Sequence, residues 1–316
     1  MARTSSRQPN PLNFLWLLII IGAGLYQTWH KRQKPPSHPP RTTHTPKGKP
    51  GRATHTPKTP TGGTRTSSGK PLAALSHDAD NSNVLLGLPS PAAKNPDNYF
   101  VERPQFAMSY NKSDGGANWV SWHIDATTLG DVQRGNFRPD PLLPPDWQIR
   151  PSDYLRSGYD RGHVCPSGDR TATEEDNDAT FVMSNMLPQT AALNQHLWKS
   201  LEDYSRELVG QGNELYVVAG GIGSAERIGG DKVNVPKQCW KVAVVLPDGD
   251  GDLSRIDGNT RVIAVLMPNQ QSDAIAQAEW SQYSTSVAQI EKATGLDFFA
   301  ELPASVRRKL ESKTDR

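Results

Sequence analysis

Cysteine is nearly absent. Cys165 and Cys239 are the only two in 316 residues, too few for a disulfide scaffold, and without the paired spacing of a structural zinc site. Whether they bridge each other depends on the redox compartment, and both states stay open at this point. Acidic residues are missing from the first 70 positions, which carry twelve Lys and Arg. Ten of those basic residues fall in 31–70, where Pro and Thr fill most of the rest and Ala53 is the only apolar side chain besides proline. Such a stretch cannot bury enough surface to offset its ordering entropy, so residues 31–80 read as a disordered basic linker. Two copies of Thr-His-Thr-Pro-Lys, at 43–47 and 54–58, are too few for a repeat fold and suit an extended chain; their His lack the fixed geometry of a metal site.

A long apolar run occurs once, from Leu12 to Tyr26. With Gln27 and Thr28 tolerated it reaches about 17 residues, the lower limit for a bilayer span. Its basic front and the Gly22-Ala23-Gly24 segment equally suit a cleaved secretory signal. A buried helix of the folded part fits poorly, because a charged linker follows. Residues 1–30 therefore read as an anchor or a signal, and basic residues on both sides leave its orientation open.

The remaining chain, 81–316, is ample for one core. Its charge is the reverse of the linker's: residues 71–316 hold 23 basic side chains (35 less 12) and all 33 acidic ones, about ten charges negative. That excludes a polyanion-coating surface and requires any phosphate-binding cations to be focused in one cleft. Apolar and β-branched runs predict a hairpin from Gln105–Tyr110 and Trp119–Ile124, and strands at Thr180–Met183, Glu214–Ala219, Cys239–Leu246 and Arg261–Met267. Thr190–Val209, free of Pro and Gly, predicts a helix. The class is α+β, with a central, mainly antiparallel sheet and flanking helices. The acidic run Asp248–Asp252 lacks the Gly and Glu of a calcium loop, having Leu253 and Asn259 at those positions, and reads as a turn between strands.

Residues 157–170, SGYDRGHVCPSGDR, form a loop-rich stretch around a cluster of ionisable groups. His163 offers an imidazole that titrates near neutral pH, and Arg161 a fork of donors matched to phosphate oxygens. Asn194, Trp198, Glu202 and Arg206 recur at four-residue spacing along one side of the expected helix. The bland reading is a set of surface pairs such as Glu202 with Arg206. The chemical reading gives Asn194 to a hard cation that keeps most of its waters.

YDRGHVCPSGDR, followed by FVMSNMLPQ and LNQHLWKSLEDYSREL, resembles the DNA/RNA non-specific endonuclease family with its ββα-metal fold. The resemblance extends over most of 84–300, including NWVSWHID, CWKVAVVLP and RVIAVLMPN. It implies His163 as general base, Asn194 as the protein ligand of Mg²⁺ (with Mn²⁺ or another divalent cation as substitutes), and Glu202 as the acid near the metal. Arg161 and Arg206 would contact phosphate, Asn185 would support the site, and Asp160 would shape the turn that aims His163. The family usually has a small residue at Cys165, which makes a bridge to Cys239 worth testing. The implied activity is hydrolysis of DNA and RNA to 5′-phosphate ends, with homodimers common in the family. Such an enzyme is dangerous in its own cytoplasm, which favours export, either membrane-anchored with the catalytic domain outside or secreted. The alternatives are a phosphodiesterase acting on small nucleotides, or an inactive nucleic-acid-binding or adhesion protein.

Overall fold

The computed structural model describes residues 82–315; the anchor or signal at 1–30 and the linker at 31–80 lie outside the described residues. Among the described residues no helix is long and apolar enough to cross a membrane. The centre is a seven-stranded sheet in which every pairing is antiparallel. Its strands are β1 (Lys94–Asn95), β2 (Asn98–Arg103), β3 (Phe106–Asn111) and β4 (Gly116–Ile124), then β7 (Asn213–Ile222), β10 (Gln238–Pro247) and β11 (Arg261–Pro268), in that order across the sheet. The expected hairpin is β3–β4, with a bulge at Ser109/Tyr110, and the three later strands coincide with β7, β10 and β11.

Side chains alternate across a strand, so one sheet builds two cores. Val120, Trp122, Ile124, Leu215, Val217, Ala219, Ala243, Val245, Ile263 and Val265 fill one face. Trp119, Tyr216, Trp240, Val242, Val244, Val262 and Ala264 fill the other. The second face is covered by the helix Val287–Thr294, the helix Ala304–Ser312 through Leu310, and the segment Val84–Leu86.

The first face carries the insertion between β4 and β7. It contains the short antiparallel pair β5 (Asp160–His163) and β6 (Met186–Gln189), and then a long helix. That helix begins with a π-helical segment, Leu193–Trp198, and continues as α-helix over Lys199–Gly210. Leu193, Leu197, Trp198, Leu201, Leu208 and Val209 press it onto the sheet. Strand, strand and helix in this order form the expected ββα unit. The hairpin of β8 (Glu226–Ile228) and β9 (Val233–Val235) packs beneath β6 through Ile228, Val233 and Met186.

Two local expectations fail here. Thr180–Met183 is not a strand: Val182 makes only an isolated bridge to Arg138, and Met183–Asn185 is a 3₁₀ turn. The cause is Asn185, whose Nδ2 donates to the carbonyls of Thr180 and Cys165, pulling the chain into a turn before β6 begins. Conversely, Asp160–His163 is a strand rather than loop. Its glycine serves space: Gly158 has φ +84, but Gly162 is not among the glycines with positive φ. The Asp248–Asp252 run is a turn, as expected, leading into the helix Asp252–Arg255.

Candidate active site

β5 and β6 pair with His163 opposite Met186 and Asp160 opposite Gln189. This register sets His163 at one end of the short ribbon and Asp160 at the end where the helix starts. The His163 ring lies edge-on to Phe181, with centroids 4.8 Å apart, and 5.6 Å from Phe137. It is 8% exposed, and its Nε2 has no hydrogen-bond partner. A buried polar atom without a partner is costly, and in a native fold it points to a ligand or a reaction. Burial, helped by the positive charge of Arg134, lowers the imidazole pKa to about 3. The ring is therefore neutral across the working range, instead of titrating near neutrality as its sequence context suggested.

Asp160 reaches across to the helix. Its Oδ2 accepts from Asn194 Nδ2 at 2.9 Å and from Gln195 Nε2 at 2.9 Å. Because a carboxylate only accepts, this contact fixes which way the Asn194 amide points, and Oδ1 is the atom left open. Asp160 thus orients Asn194 as well as shaping β5. The helix start is pinned from the sheet by Asn269, which accepts from the Thr190 amide and donates to the carbonyls of Pro188 and Pro236, each at 2.9 Å.

Arg161 stands over the Phe137 ring at 4.4 Å. Arg134, which the sequence reading missed, stands over Phe181 at 5.4 Å. The two arginines therefore flank the aromatic pair that holds His163. Arg206 donates to Asp169 at 2.8 Å and to Asp203 at 2.6 Å. A Cβ on Gly168 would fall 2.8 Å from Arg206 Nη1, so that glycine makes room for the guanidinium.

Instead of pairing with Arg206 four residues on, Glu202 lies toward Lys241, with Oε1 3.9 Å from Nζ. Burial pushes the Glu202 carboxyl up to about 7, against the pull of Lys241 and Arg206. Burial likewise lowers the Lys241 pKa, opposed by Glu202 and Asp169. Lys241 is the second residue missed from sequence, though a signal was present: it breaks the apolar series Cys239, Ala243, Val245 on one face of an otherwise buried strand.

Asn185 is brought near but does not face the cleft. It is wholly buried, its Oδ1 accepts from the Cys165 amide at 2.9 Å, and its Nδ2 is spent on two carbonyls. It staples the chain leaving β5 to the chain entering β6. Cys165 and Cys239 are both free and buried, so no bridge joins them, and burial pushes both thiols up to about 12.

Among the described residues, one buried cluster has metal-like composition. His123, Glu214 and Asp252 bring ligand atoms within 4.8 Å of one another. It does not fit a cation: Arg255 reaches Glu214 at 2.5 Å and Asp252 at 2.6 Å and supplies the positive charge itself. Strand alternation also sets His123 and Glu214 on the sheet face away from the ββα unit. At Asn194 the donor set does fit a hard divalent cation, with a neutral oxygen left open beside the carboxylate of Asp160, and Glu202 farther along the helix.

Comparison with known proteins agrees with this architecture. Residues 89–305 match the profile of the DNA/RNA non-specific endonuclease family. A nuclease of Nostoc sp. is 49% identical over 238 residues, covering 74% of this chain and 86% of the relative. A nuclease of Cunninghamella echinulata var. echinulata is 32% identical over 223 residues, covering 65% of this chain and 84% of its own. The solved EndoG/EndoGI complex superposes with a TM-score of 0.60 at 25% identity, covering 70% of this chain and 91% of that one. The chain belongs to the DNA/RNA non-specific endonuclease family.

Proposed function

We propose that the chain is a divalent-metal-dependent endonuclease that hydrolyses phosphodiester bonds of both DNA and RNA, with His163 as the general base and 5′-phosphate products. The observation that carries this reading is the buried, partnerless Nε2 of a neutral His163 on the same ββα unit as an Asn194 amide whose nitrogen is held by Asp160. Asn194 would hold the cation, and Glu202, farther along the helix, would act on the water around it. A bound Mg²⁺ or Mn²⁺ supplies Lewis-acid stabilisation of the charge that develops on phosphate.

His163 takes the proton of an attacking water at Nε2. Its depressed pKa belongs to the free protein; a phosphate dianion or diester brought against it raises the imidazole toward the range of an effective base. Arg161 and Arg134, flanking Phe137 and Phe181, offer donors to the phosphate oxygens around the base. Arg206 is held by two carboxylates, Asp169 and Asp203. All of these contacts address phosphate, so little preference for base or sugar is expected. In a net-acidic body these arginines carry the local attraction for a polyanion. The apolar run at 12–26 supports export, with the catalytic part outside the cytoplasm or released.

The test is cleavage of plasmid, RNA and a dinucleotide ester by the purified chain, with Mg²⁺ or with chelator. Cutting of both polymers only with metal is expected, and failure to cut polymer with metal present refutes the proposal. His163→Ala should lower cleavage by at least about 10³-fold while leaving the fold intact; retention of a tenth of the activity would mean that another group is the base.

A further inference from the structure

We propose that Lys241 is a positioning residue for the reaction: its ammonium, held between Trp122 and Trp198, fixes the Glu202 carboxylate at the floor of the site. The proposal rests on reading Glu202 as part of the cation site.

The argument starts from the strand. Lys241 is in the middle of β10, and its partners in register are Ala219 on β7 and Val265 on β11. Its neighbours along the same face are Cys239 and Ala243. The side chain is 3% exposed, and lysine is rarely buried so fully without a carboxylate. Nothing in the sheet around it can neutralise the charge, so the counter-charge has to come from the layer above. That layer is the long helix, and the carboxylate it offers is Glu202 at 3.9 Å.

Two indoles complete the setting. Nζ is 4.3 Å from the Trp198 ring and 5.5 Å from the Trp122 ring, positions in which the ring faces attract a cation. Trp198 comes from the π-helical segment that also carries Asn194. One lysine therefore meets the helix at two successive positions between Asn194 and Arg206, through Trp198 and through Glu202.

The other buried carboxylate nearby is already committed. Asp169 accepts from Trp122 Nε1 at 3.0 Å and from Arg206 at 2.8 Å. Two carboxylates and two cations thus balance, with Lys241 assigned to Glu202 and Arg206 to Asp169. A buried pair kept only for stability could be replaced by apolar side chains at little cost. A pair that aims a carboxylate could not be replaced without loss of what that carboxylate holds.

The experiment uses the full chain and the variants K241M, E202Q and K241M/E202Q. Mg²⁺ binding is measured by calorimetry without nucleic acid, alongside kcat and KM for plasmid cleavage. K241M should weaken Mg²⁺ binding at least tenfold and lower kcat, with KM for the polymer within twofold of wild type. The double variant should be no worse than the worse single one, since the two residues act as a unit. K241M with Mg²⁺ binding and kcat within twofold of wild type, while E202Q is impaired, overturns the proposal alone. E202Q with unaltered Mg²⁺ binding overturns the reading of Glu202 and the proposal with it. Should K241M fail to fold, the Lys241 side-chain resonance, assigned through K241R, is compared in wild type and E202Q: a shift upholds the pairing, and an unmoved resonance overturns it.

Discussion

Gly162 stands between Arg161 and His163 on β5, and replacing it by alanine measures how tightly the strand is held. A Cβ added there would fall 2.5 Å from Gln189 Cδ and 2.8 Å from its Cγ, and closer still to Oε1. Gln189 cannot swing into solvent to relieve this. It is 1% exposed, pairs in register opposite Asp160, and donates through Nε2 to Cys239 Sγ at 3.5 Å. Either Gln189 leaves its rotamer or β5 is pushed off β6. Overpacking of this kind costs about 1–3 kcal/mol, and a displacement of about 1 Å at a reacting group costs roughly 10²-fold in rate. G162A should therefore lower the urea midpoint by an amount equivalent to about 2 kcal/mol and cut plasmid cleavage by roughly two orders of magnitude. In a Q189A background the same substitution should cost less than about 1 kcal/mol, because the clashing atoms are gone. G162A with the wild-type midpoint and activity within twofold would refute the reasoning.

Three further outcomes are expected. The unfolded chain protonates His163 near its ordinary value of 6.5, whereas burial delays protonation in the fold to about 3. Between those values the unfolded state binds more protons, so the His163 contribution present above pH 6.5 is lost as pH falls toward 3. A urea midpoint compared at pH 7 and pH 4 should fall less in His163→Asn than in wild type, and parallel falls would count against the buried neutral ring. Glu202→Gln should raise the Mg²⁺ concentration for half-maximal cleavage by about 10–100-fold; an unchanged requirement would make Glu202 purely structural. Cys165 and Cys239, buried and pushed up to about 12, should both resist a thiol reagent in the native protein and both react in denaturant without reductant. Failure to react in denaturant would reveal a bridge.

How much was legible in the sequence depended on whether local pattern and tertiary packing agreed. Apolar and β-branched runs identified β3, β4, β7, β10 and β11, because strands buried on both faces take apolar side chains at nearly every position. The helix after Thr190 was legible for the same reason, but its π-helical opening was not. A π turn has no propensity signature of its own, and it arises where packing requires an extra residue. Thr180–Met183 looked like a strand until the Asn185 amide captured the carbonyls of Thr180 and Cys165. Asp160–His163 looked like loop because glycine and charge are depleted from strands, yet pairing with Met186–Gln189 overrides that preference.

By itself the sequence determined the antiparallel α+β framework and the split between a basic leader and an acidic body, and it offered His163, Asn194, Glu202, Arg161 and Arg206 as candidates for phosphate chemistry. These follow from residue type, spacing and charge, which are properties of the chain. Only the tertiary structure decided what each group is able to do. It gave the Asn194 nitrogen to Asp160, which leaves the amide oxygen as the atom for a cation, and it made Asn185 a backbone staple. It kept His163 neutral by burial between Phe137 and Phe181, and it paired Glu202 with Lys241, 39 residues away. Orientation, desolvation and charge pairing depend on which atoms share a few ångströms of space, and spacing along the chain does not carry that information.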